Sequence, residues 1–120
     1  MKIASVRTRI VQLPADEPLA DMPENPAATR PIVTLELGTD DGTLGVGVTY
    51  FGGTLTGALR QAVDALGALT VGEDALRTEQ IHAKFRDAAG HGGPGGIFTL
   101  ALSAIDMALW DIKGKALGQP

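Results

Sequence analysis

The chain has 120 residues, no cysteine, 10 Lys and Arg against 14 Asp and Glu, and a formal net charge of -4. That length suits one domain with a modest core, and the missing thiols exclude disulfides, thiolate catalysis and thiolate metal sites. An acidic balance with no basic cluster argues against nucleic acid and anionic membrane as partners; with no apolar leader region and no apolar run near the ~20 residues of a membrane span, a cytoplasmic protein is expected.

Residues 2–13 read as a strand, with the β-formers Ile3, Val6, Ile10, Val11 and Leu13 flanked by Arg7, Arg9 and Gln12. Residues 14–31 read as a loop, because Pro14, Pro18, Pro23, Pro26 and Pro31 interrupt any periodicity. Asp16, Glu17, Asp21 and Glu24 make that loop acidic, and its length fits a functional lid or a mobile segment. Residues 32–38 give a second strand, Asp40-Asp41-Gly42 a tight turn, and Leu44 to about Phe51 a third strand in which Val46, Val48 and Tyr50 alternate with Gly45 and Gly47. Beyond Gly52-Gly53 the period changes to that of a helix. Leu55, Ala58, Leu59, Ala62, Val63, Leu66 and Leu69 form one apolar face, with Thr54 as the expected N-cap. A connector at 71–74, a second helix over 78–89 anchored by Ile81 and Phe85, and a glycine link at 90–96 follow.

The third helix, about 97–115, carries the most information. Thr99, Ser103, Asp106, Trp110 and Lys113 recur at steps of four and three and so share one face. The opposite surface is Leu100, Ala101, Ala104, Ile105, Ala108, Leu109 and Ile112, and Gly118 reads as the helix stop. A helix this apolar is expected to be buried nearly all round, which so small a domain has difficulty achieving alone. The thin polar stripe therefore reads as a docking seam, with Ser103, Asp106, Trp110 and Lys113 as domain-interface residues. A buried Asp106 needs a backbone N–H or a cation. Asp111 and Lys115, four apart, form a weak surface pair. Three strands and then helices, without βαβ alternation, predict an α+β fold with an antiparallel meander.

No complete catalytic set is present. Gly90, Gly92 and Gly95 match a dinucleotide loop in spacing, but they follow a helix, and Pro94 removes a backbone N–H that a phosphate needs. His82 and His91 are the only histidines, His82 on the second helix beside Ile81 and His91 in the glycine link. Asp40 and Asp41 are explained by turn chemistry. The serines lack a nucleophile-elbow setting. Two site candidates remain: the acidic Pro-rich segment, and Thr49-Tyr50-Phe51-Gly52-Gly53, where two aromatics leave a strand end. Core packing or hairpin capping is the alternative for Tyr50 and Phe51.

Ser103-Ala-Ile-Asp-Met-Ala-Leu-Trp-Asp-Ile-Lys-Gly-Lys-Ala-Leu-Gly-Gln-Pro120 resembles the end of the N-terminal capping domain in the mandelate racemase and muconate lactonizing enzyme branch of the enolase superfamily. The likeness extends over the whole chain, from Lys2-Ile3 through the long loop and Gly45-Val-Gly47 to the last helix. It implies one capping domain over 1–120, a three-stranded antiparallel meander followed by a three-helix layer, covering a C-terminal TIM barrel absent from this sequence. It implies that the barrel holds Mg²⁺ and removes the proton alpha to a substrate carboxylate, so that no metal ligand and no catalytic residue lies in this chain. It further implies two loops over the site, around 14–25 and at Tyr50–Gly53, with Asp16, Asp21, Met22, Tyr50 and Phe51 as substrate-binding residues.

Acidic lid residues suit a polyol tail, which favours an acid-sugar dehydratase. A racemase, epimerase or cycloisomerase of the same superfamily is the alternative. A free-standing α+β binding or dimerisation module is the alternative of another class. The expected partners are the chain's own barrel, a small-molecule carboxylate and further copies in a homo-oligomer.

Overall fold

A computed structural model describes residues 1–14, 29–50 and 53–120. Three strands, β1 (Ile3–Pro14), β2 (Thr29–Thr39) and β3 (Leu44–Thr49), form an antiparallel sheet in the order β1-β2-β3. Three helices follow, α1 (Thr56–Ala68), α2 (Thr78–Ala89) and α3 (Gly96–Leu117). This is the α+β meander with a helical layer that the sequence predicts. No helix among the described residues is long and apolar enough to cross a membrane.

The helices cover one face of the sheet. Val33, Leu35 and Leu37 of the central strand point into the core, as period-two alternation requires. They meet Leu59 and Val63 of α1, Ile81 and Phe85 of α2, and Ala101, Ala104, Ile105, Ala108, Leu109 and Ile112 of α3. The spacing of that last set, three and four residues, is the buried stripe of a single helix face. The connector after α1 is more than a link. Ile3 N–H donates to Glu73 O at 2.9 Å, Gly72 N–H to Ile3 O at 2.8 Å and Ala75 N–H to Met1 O at 3.0 Å, tying the chain's start to the helical layer.

Several boundaries differ from the sequence expectation, each for a local reason. The segment 14–31 is not wholly irregular: Pro14 pairs with Thr29 and Gln12 with Pro31, so the first two strands run further than their prolines suggest. The backbone groups of Val33, Leu35 and Leu37 face β3, and by alternation those of Pro31 face the same side. β3 has ended there, at the Val33–Thr49 pair, so the missing N–H of Pro31 breaks no ladder bond. β3 itself stops at Thr49 rather than near Phe51. Thr54 does not cap α1. A 3₁₀ turn at Gly53–Leu55 leads into the helix, and Thr56 Oγ1 donates to Gly53 O at 2.9 Å. The turn at 40–43 is as expected: Asp41 accepts from the Thr39 hydroxyl and from Thr43 N–H, and Gly42 takes a φ of +87°. Gly118, at a φ of +64°, ends α3.

The closest packing is between α3 and β3. Gly45 and Gly47 turn inward while Leu44, Val46 and Val48 turn out. A Cβ on Gly45 would lie 2.1 Å from Ala108 O, and one on Gly47 1.8 Å from Ala104 O. The strand thus rests on the helix backbone, through small residues on both sides. Asp111 and Lys115 complete the contact. Val46 N–H donates to Asp111 Oδ2 at 2.9 Å, Lys115 Nζ donates to the same oxygen at 2.8 Å, and Lys115 Nζ donates to Leu44 O at 2.7 Å. The expected weak surface pair is in fact a clamp on the free edge of the sheet.

Replacing Gly47 by alanine drives a methyl into a carbonyl that cannot retreat without moving α3. We expect a loss above about 2 kcal/mol in denaturant unfolding, beyond an ordinary overpacked site; an unchanged midpoint would refute the close approach. The Lys115 ammonium and the Val46 N–H hold the Asp111 carboxyl below its ordinary value of 3.8. A depressed acid stabilises the fold fully above its unfolded value and loses that contribution as pH falls through the folded one. Between pH 5 and 2, Asp111→Asn should therefore lose less stability than the parent chain in pH-resolved melting.

Candidate functional site

The register of the sheet places the roots of the two candidate loops at the same end. Ile10 pairs with Val33, and Val33 pairs with Thr49, so the end of β3 lies level with Ile10. Beyond that line β1 and β2 continue as a two-stranded ribbon through the pairs Val11–Ile32, Gln12–Pro31, Leu13–Arg30 and Pro14–Thr29. Four pairs carry it about 13 Å past β3. The segment 15–28 leaves from the tip of this ribbon, and the turn to Gly53 leaves from the end of β3, at the same end of the sheet.

Tyr50 follows Thr49 directly and is 62% exposed, which removes core packing as its role. Ile10 and Leu13, toward the same end of the sheet, are also exposed. Asp16, Asp21, Met22 and Phe51 lie outside the described residues.

The second candidate surface is the outer stripe of α3. The helix is not buried all round, as its composition suggests: one side packs on the sheet and on α1 and α2, while Met107, Trp110 and Leu117 stay exposed, Trp110 at 54%. Lys113 Nζ lies 4.5 Å from the centre of the Trp110 ring. Trp110, Lys113, Gly114, Leu117 and Pro120 border a shallow cavity of about 370 Å³. Ser103 is half-buried and donates to Leu100 O at 2.8 Å.

Asp106 has the partner that sequence spacing could not supply. Its Oδ1 lies 2.9 Å from Nε2 of His82 on α2, at an angle outside that of a directional hydrogen bond, and neither atom reaches solvent or has another partner. The polar atom nearest to this carboxylate thus lies within the chain. Ring stacking does not account for the placement, since His82 and Phe85 are tilted with centroids 6.4 Å apart.

The remaining candidates dissolve into structure. Asp40 Oδ1 accepts from Lys2 N–H at 3.0 Å. His91 is exposed between α2 and α3. The glycine link lets α2 turn into α3, and Gly95 N–H donates to Thr99 Oγ1 at 2.9 Å, closing the first turn of α3. Arg60 Nε donates to Thr8 Oγ1 at 3.3 Å and Arg60 Nη2 donates to Thr8 O at 3.2 Å, while the Thr8 hydroxyl donates to Asp64, so this polar set fastens α1 to the sheet. Among the described residues no group of three His, Cys, Asp or Glu side chains is placed to hold a metal ion. Magnesium therefore does not fit the side chains described here.

Removing His82 alone leaves Asp106 Oδ1 buried without a partner. His82→Ala is expected to cost more than His82→Ala with Asp106→Ala also present, with a coupling of about 1 kcal/mol in a double-mutant cycle. Strict additivity would show the contact to be idle.

The comparisons with known proteins agree with one another. Residues 4–120 match the family described as mandelate racemase / muconate lactonizing enzyme, N-terminal domain. The chain is 36% identical over 118 residues to D-galactarolactone cycloisomerase of Agrobacterium fabrum, covering 98% of this chain and 30% of that protein. It is 40% identical over 92 residues to a D-mannonate dehydratase of Caulobacter vibrioides, covering 76% of this chain and 22% of that protein. The fold superposes with a TM-score of 0.83 and 28% identity on L-talarate/galactarate dehydratase from Salmonella typhimurium LT2, crystallised with Mg and L-lyxarohydroxamate, covering 98% of this chain and 31% of that one. The chain thus spans under a third of the length of these relatives. A meander of three strands, a helical layer and a signature third helix, matched over nearly the whole sequence, place this chain in the mandelate racemase / muconate lactonizing enzyme N-terminal domain family, the capping domain of the enolase superfamily.

Proposed function

We propose that this chain is the cover and specificity domain of a magnesium-dependent enzyme that abstracts the proton alpha to a carboxylate, with acid-sugar dehydration as its reaction. The observation that carries the reading is the shared sheet end, where exposed Tyr50 stands beside the ribbon from which residues 15–28 depart. A cover needs its substrate-facing loops on one side and a docking face on another, and α3 presents a face of the second kind. Ser103, Asp106, Trp110 and Lys113 are assigned to the seam with a C-terminal barrel, and magnesium to that barrel.

Within this proposal Tyr50 supplies a ring wall and a phenol that donates to or accepts from a hydroxyl. Phe51 and Met22 are assigned to the wall as well. Asp16 and Asp21 accept hydrogen bonds from substrate hydroxyls and repel a second carboxylate, which matches a polyol tail. Closing such a cover excludes water and strengthens each polar contact inside. The names of the D-mannonate and L-talarate/galactarate dehydratases support the acid-sugar class. A cycloisomerase is the second reading, favoured by the nearly full-length match to D-galactarolactone cycloisomerase. A cytoplasmic location and a homo-oligomer accompany the proposal, the latter supported by the exposed row Leu44, Val46 and Val48 on the outer sheet face.

The test is a panel of aldonates, aldarates and sugar lactones offered to the full-length protein with magnesium. Dehydration products support the proposal, ring opening or closure favours the second reading, and no turnover of any acid sugar would sink both. Tyr50→Ala should shift KM and the order of preferred substrates while leaving magnesium affinity unchanged. Trp110→Ala should lower full-length stability by roughly 2–3 kcal/mol, the value of covering half an indole; a change within ±0.5 kcal/mol would take Trp110 out of the seam.

A further inference from the structure

We propose that Asp111 is a positioning residue for Tyr50: its clamp on β3 locks the strand end to α3, so that the docking stripe and Tyr50 move as one body. For its link to substrate the inference rests on the function proposed above. Its mechanical part rests on contacts alone.

Two restraints act on β3 in different directions. Toward the helix, the strand has no slack, because positions 45 and 47 already sit against the Ala108 and Ala104 carbonyls with no room for a Cβ. Along the strand, the register is held by Asp111 and Lys115. Asp111 Oδ2 accepts from Val46 N–H, and Lys115 Nζ spans Asp111 Oδ2 and Leu44 O. Val46 N–H and Leu44 C=O point away from β2, so these charged side chains take the place of a fourth strand. Without them the only lateral partner of β3 among the described strands is β2.

The geometry links the two candidate surfaces. Asp111 is next in sequence to Trp110, within the stripe assigned to docking. Tyr50 lies four residues beyond Val46, about 13 Å along an extended strand. Close-packed elements shift as units rather than stretch. A displacement of α3 on docking is therefore carried through β3 to Tyr50. The β1–β2 ribbon is not held in this way. It extends past the end of β3, and its register depends on strand pairing and on the Arg60–Thr8–Asp64 set of α1.

The experiment uses the full-length protein and compares the parent with Asp111→Ala, Asp111→Asn and Lys115→Met by amide hydrogen exchange and by KM and kcat on the acid sugar turned over. Asp111→Ala is expected to speed exchange across 44–50 roughly tenfold, the effect of losing one charge-assisted bond from a locally opening segment, with 3–14 changed less than about twofold. KM should rise about fivefold with kcat within about twofold, the pattern of lost binding rather than lost chemistry. Asp111→Asn keeps a carbonyl for Val46 N–H and should restore most of both, and Lys115→Met should reproduce a weaker form of the alanine phenotype. Exchange at 44–50 that does not change, or that rises evenly through the chain, overturns the clamp. Raised exchange with an unchanged KM overturns the positioning role. A full-length protein that turns over no acid sugar removes the functional reading while the exchange comparison still decides the mechanical one.

Discussion

The approach of two backbones, with almost nothing between them, sets the rest of this domain. β3 lies against α3 because Gly45 and Gly47 face Ala104 and Ala108. Dispersion and the exclusion of water act at short range, so small residues on both sides gain contact along the whole strand. The arrangement fixes the depth of α3 under the sheet. It also decides which way the helix faces: with Ala101, Ala104, Ala108 and Ile112 inward, Trp110 and Met107 must point out. The outer stripe is thus a consequence of the inner one.

From this follows a division of surfaces. The helical layer consumes the inner face of the sheet, α3 presents a mixed apolar and polar stripe, and the far end of the sheet sends out both loops. The charged groups at the stripe are already engaged inside the domain: Asp106 with His82, Asp111 with Lys115 and β3, Lys113 over Trp110. A partner that covers the stripe meets charges whose counterparts are in place, which lowers the cost of taking them out of water.

Period and turn chemistry made much of this legible. The alternation of Val33, Leu35 and Leu37, the change of period after Gly53, and the stop at Gly118 are local signals, and each is present in the fold. What escaped is long-range. His82 and Asp106 are 24 positions apart and Val46 and Asp111 are 65 apart, distances that no spacing rule spans. The prolines misled for a related reason. Pro31 is harmless only because β3 ends two pairs earlier, a fact about the neighbouring strand. Thr54 looked like a cap, but the chain makes a tighter turn first, so the local preference yielded to the path out of β3. At the candidate site, Tyr50 was visible as an aromatic at a strand end, while its exposure became known only from the packing of its neighbours.

The ribbon that outruns β3 is a cantilever rooted in the sheet and free of the core. Among the described residues, none of the buried core lies on its four pairs past β3. Exchanges within those four pairs therefore leave Leu35, Ile105 and the glycine contact in place, and the root still sets the direction in which the ribbon runs. A lineage, or an engineer, can rewrite the overhang while the line at Ile10, Val33 and Thr49 stays untouched.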